Sequence, residues 1–146
     1  MGDRRRRFAL SDSAQQMVGG FLLAGPFVVT EEVWVLATDM TVLEALSTVL
    51  IVFTIGYAAL YKADDERDPD REAEVAGVPS RFISLMVVSY GSVVILTLAF
   101  GVPGTFLPET YDAGEPTMAT VTTTLKAISV GAVFSVVGAA TADSVF

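Results

Sequence analysis

Four long stretches of this sequence carry no charged residue: 13–30, 45–61, 82–108 and 127–142, of 18, 17, 27 and 16 residues. A helix crossing a hydrocarbon core of about 30 Å needs roughly 20 mostly apolar residues. Each stretch reaches that length when one or two flanking charged residues are admitted. The pattern predicts an all-α, polytopic membrane protein: a single four-helix transmembrane domain over residues 1–146, with helices at about 14–37, 42–62, 82–102 and 118–142. The helices of a soluble bundle keep a charged face along their length. Residues 49–55 and 92–100 are apolar or weakly polar on every side, which argues against that fold.

Arg4, Arg5, Arg6 and Arg7 precede the first stretch. The apolar run starts about ten residues after them and continues past Pro26 to Thr30, a looser layout than a cleaved signal peptide has. Basic residues are retained on the cytoplasmic side of a membrane. Eight of the nine here are Arg4–Arg7, Lys62, Arg67, Arg71 and Arg81, all in the N-terminal tail or the loop 62–81. The opposite loops, 37–41 and 102–117, contain no Lys or Arg. The expectation is a cell-membrane protein with both termini cytoplasmic.

The chain has no Cys and no His. Serine–histidine and cysteine–histidine triads, thiolate zinc sites and iron–sulfur centres are therefore excluded. No nucleophile–base constellation appears, so neither enzymatic activity nor a cofactor is expected. The net charge of −8 argues against nucleic acid as a partner. Residues 62–77 read KADDERDPDREAEVAG. Dense carboxylates suit calcium, but the spacing lacks the glycine turn of an EF-hand loop, so this reads as a solvated acidic loop and no metal is expected. Seventeen acids against two lysines, Lys62 and Lys126, suit a surface in concentrated salt, as in a halophile.

Ionisable groups inside a membrane are costly and mark candidate sites. Glu31 and Glu32 close the first predicted helix, Glu44 opens the second, and Lys126 lies within the fourth. All four fall in the outer half. Gly20, Ala24, Phe27 and Glu31 share one face by their spacing, which points Glu31 into the bundle. A pair of Lys126 with Glu31 or Glu32, lined by Ser47, Thr48, Thr122 and Thr123, is the economical arrangement. Carboxylates outnumber bases there, which suggests an ion or proton site. A pair that only fixes helix register suits the same residues.

Pro26 follows Gly25 in mid-helix and predicts a kink with a carbonyl freed around Leu22; broken helices in transporters use such groups to bind ions. Gly20 and Ala24, with Gly131, Ser135 and Ala139 on the fourth helix, form small-residue packing faces and suggest a homo-oligomer. Trp34, Phe106 and Tyr111 suit interfacial anchors.

The run Gly19-Gly20-Phe21-Leu22-Leu23-Ala24-Gly25-Pro26-Phe27-Val28-Val29-Thr30-Glu31-Glu32-Val33-Trp34 resembles the first-helix signature of an uncharacterised family of integral membrane proteins found in haloarchaea and bacteria. The resemblance covers about 16 residues and implies a class without a mechanism. It marks Pro26, Thr30, Glu31 and Trp34 as the positions to test. Two functional expectations follow. One is a small oligomeric membrane protein that moves or senses an inorganic cation or proton at Glu31, Glu32, Glu44 and Lys126. The other is a scaffold or accessory subunit whose buried charges only fix helix pairing.

Overall fold

The structure, a computed structural model, describes residues 10–62, 74–75 and 78–145. Six α-helices account for most of them: α1 (Leu10–Val28), α2 (Glu31–Asp39), α3 (Val42–Tyr57), α4 (Ser80–Ala99), α5 (Val102–Phe106) and α6 (Met118–Val145). A π turn, Ala58–Lys62, extends α3. A 3-10 turn, Pro108–Thr110, and two short antiparallel hairpins complete the description: β1 (Glu74–Val75) with β2 (Val78–Pro79), and β3 (Tyr111–Asp112) with β4 (Glu115–Pro116).

α3 with its π turn, α4 and α6 are each long and apolar enough to cross a membrane; α1 and α2 make a fourth crossing when the bent pair is one span. The molecule is thus an all-α polytopic membrane protein. α1, α4 and α6 form a three-helix centre, and α3 lies against its side. Gly56 makes that side contact, against Met86, Leu85 and Val136.

Small residues explain why α6 is central. In lipid no hydrophobic force gathers helices, since the tails are as apolar as leucine, so association rests on close backbone approach. A Cβ added at Gly19 would overlap the carbonyl of Gly138, and one added at Gly138 would overlap that of Gly19. Ala24, Ala132, Ser135 and Ala139 are wholly buried, and Phe27 stacks on Phe134 with ring centroids 3.8 Å apart. The small-residue faces expected to join protomers are filled within one chain, so they no longer support a homo-oligomer.

α4 ends where Gly101 adopts a left-handed conformation (φ 60°), which glycine enters without steric cost. α5 then turns back over the bundle, with Val102 and Leu107 buried beside Trp34, Ala37 and Met40. Trp34 is only 1% exposed. It is a core residue here, not the interfacial anchor its place in the sequence suggests.

Candidate functional site

The first span is not one kinked helix. α1 and α2 meet at 79°, and the break falls at Val29–Thr30, three residues beyond Pro26. The run Pro26–Trp34 builds it. Proline supplies no N–H to the carbonyl four residues back, which weakens the last turn of α1. Two side chains then take up its final carbonyls: Thr30 Oγ1 donates to Phe27 O at 2.7 Å, and Trp34 Nε1 donates to Val28 O at 2.9 Å. Thr30 is extended (φ −100°, ψ 140°) and starts α2. The signature residues Pro26, Thr30 and Trp34 therefore have a shared structural role, which is to end one helix and turn the chain.

This break moves Glu31 and Glu32. Both occupy the first turn of α2 and are exposed, where carboxylates favour the positive end of the helix dipole. The expectation that Glu31 points into the bundle fails, because a 79° bend takes it off the face shared by Gly20 and Ala24. Lys126 is half-buried and donates from Nζ to Met40 O at 2.7 Å, capping the carboxyl end of α2. No glutamate forms an ion pair with it among the described residues. A cation at that end of a helix is favourable for the same dipolar reason.

Glu44 is likewise a helix-end group. Its carboxylate accepts from Thr41 N at 2.8 Å while Thr41 Oγ1 accepts from Glu44 N at 3.2 Å, a reciprocal capping box that satisfies two otherwise orphaned donors of α3. Ser47, Thr48 and Thr122 return their hydroxyls to carbonyls of their own helices. They do not line a Glu–Lys pair. Among the described residues no three acidic side chains converge to hold a metal ion. The acidic positions 64–72 lie outside the described residues.

The strongest buried polar group stands at the opposite end of the bundle. Arg81 Nη1 and Asp143 Oδ1 are 2.6 Å apart, with side chains 6% and 0% exposed. Arg81 lies in the first turn of α4 and Asp143 in the last turn of α6. Each charge faces the unfavourable end of its own helix dipole. Because α4 and α6 are antiparallel, each also meets the favourable end of its neighbour. Close by, Ser84 Oγ donates to Gln16 Oε1 at 2.7 Å and lies 2.9 Å from Ser13 Oγ, with Gln16 wholly buried.

In the sequence Arg81 reads as a loop marker, and the last predicted helix stops at 142, one residue before Asp143. A signal was present: a base opening one apolar span and an acid closing another, the two running in opposite directions.

One family model matches the chain over residues 3–143, and its description is "Putative integral membrane protein (DUF2391)". The chain belongs to that family. No curated protein and no solved structure matches it.

Proposed function

We propose that this member of the family is a non-enzymatic, non-transporting scaffold or accessory subunit of the cell membrane, in which buried charges hold helices together. The carrying observation is the bond from Lys126 Nζ to the Met40 carbonyl. Lys126 is the only Lys or Arg beyond residue 81. It is engaged with backbone while Glu31 and Glu32 stand exposed. At the other end the Arg81–Asp143 pair ties α4 to α6 in the same manner.

Ion or proton movement or sensing at Glu31, Glu32, Glu44 and Lys126 is the competing reading. It requires these groups to share a buried site, and their separate helix-end roles weigh against it. The closed backbone contact between Gly19 and Gly138 also weighs against a conducting path between α1 and α6.

The orientation belongs to the same proposal. α1 begins and α6 ends at one end of the bundle, where Ser13 meets Ser84 and Arg81 meets Asp143. The basic tail and loop support a cytoplasmic position for that end. At the other end Glu31, Glu32, Asp39, Glu109, Asp112 and Glu115 are exposed, which supports surroundings of concentrated salt.

Reconstitution tests the proposal. Wild type, Glu31→Gln and Lys126→Met are placed in liposomes at high salt, and proton, sodium, potassium and calcium flux are followed. None should exceed empty liposomes, while Lys126→Met should speed amide exchange across 31–41. Wild-type flux that Glu31→Gln abolishes would overturn the scaffold reading.

A further inference from the structure

Most serine and threonine hydroxyls on the helices answer to their own backbone. Ser47, Ser89 and Ser129 each donate to the carbonyl four residues earlier, at 2.9, 2.6 and 3.2 Å. Thr48, Thr54, Thr122 and Thr141 do the same. That is how a helix in lipid satisfies a hydroxyl without outside help. Ser92, Thr97, Thr124 and Ser135 are exceptions, with no hydrogen-bond partner for the hydroxyl among the described residues, and Ser92 and Ser135 are 2% and 0% exposed.

Both hydroxyls are aimed at the same spot, the side of α1 left bare by Gly20. A Cβ built on Gly20 would lie 2.9 Å from Ser135 Oγ and 3.0 Å from Ser92 Oγ. The two oxygens are therefore less than about 6 Å apart without bonding each other, a gap that one water with bonds of about 2.8 Å to each can close.

We infer that a single buried water is held between Ser92 and Ser135 over Gly20, pinning the crossing of α1, α4 and α6. Each hydroxyl can donate to or accept from that water, so it satisfies two buried polar atoms that hydrocarbon cannot. Glycine at position 20 lets both serine oxygens approach α1 closely, and a methyl there would press on them. A metal cation at this spot would meet two neutral hydroxyls and no carboxylate, too few oxygens to replace its hydration shell.

The full-length chain in detergent micelles tests this by thermal unfolding. Ser92→Ala and Ser135→Ala should each lower Tm by a few degrees. The double variant should fall no further than the larger single drop, because one bridge is lost once. Single variants that leave Tm unchanged or raise it, with additive effects in the double, overturn the inference, since the hydroxyls then have no shared partner. If replacing sodium by choline at constant ionic strength shifts the wild-type Tm and not that of the double variant, the occupant is a cation and the water assignment also falls. Should the variants not fold, the wild type decides. Cross-relaxation between bulk-exchanging water and Gly20 Hα in a glycine-labelled chain should show a long-lived contact, and its absence rejects the site.

Discussion

α3 and α6 are apolar spans with opposite surroundings. Within the protein, 11% of the apolar window of α3 and its π turn is buried, against 67% of that of α6. Their side chains explain the difference. α3 presents Leu43, Leu46, Leu50, Ile51 and Phe53 outward. α6 carries Ala127, Gly131, Ala132, Ser135, Gly138, Ala139 and Ala140 against its neighbours. A large apolar side chain is equally at home in lipid or in protein, so apolarity does not choose the centre of a membrane bundle. Small size does, since it lets backbones come within contact distance.

The comparison breaks most readily at the closest approach. Gly138→Leu should abolish the folded chain, read as loss of a monodisperse peak in detergent, because the added carbons have nowhere to go beside the Gly19 backbone. If the peak survives, backbone proximity is not what centres α6. Next in size is the charge pair at the end of α6. Asp143→Leu alone should cost about 3–5 kcal/mol by removing the buried carboxylate that Arg81 meets. Pairing it with Arg81→Met should recover most of that in a thermal or denaturant melt. A double variant no better than the single one would mean that Arg81 is not burdened by the missing partner.

Smaller effects belong to α3. Thr41→Ala removes half of its capping box and should cost about 1 kcal/mol, seen as faster amide exchange over its first turn. Leu50→Ala, at a site 68% exposed, should stay within about 0.5 kcal/mol of wild type. A loss of several times that would show that a protein surface covers α3 in the assembled state.

Much of the framework is legible in the sequence. The uncharged stretches mark the spans because charge at the bilayer centre is expensive, and the second predicted helix, 42–62, coincides with α3 and its π turn. Pro26 announced trouble in the first helix. It did not locate the break, because proline removes one bond and the turn forms where Thr30 and Trp34 can take the last carbonyls. The expected cluster of Glu31, Glu32 and Lys126 was wrong for a related reason. It assumed a straight helix across the bend, so facing was propagated through residues where the axis turns. Arg81 and Asp143 were missed because they stand 62 positions apart, and only the antiparallel packing of α4 and α6 brings them together.

The sequence by itself determined the solvent of this chain: which segments are apolar enough to lie in hydrocarbon, and which few charged residues fall within or beside them. These are properties of single residues and short windows, set by the cost of taking a charge out of water. The tertiary structure alone decided which apolar face is inside, which charge meets which partner, and which small residues pack against one another within the chain. Those are properties of pairs distant in sequence. In lipid, where an apolar surface has no preference between neighbours, only the fit of one backbone against another can settle them.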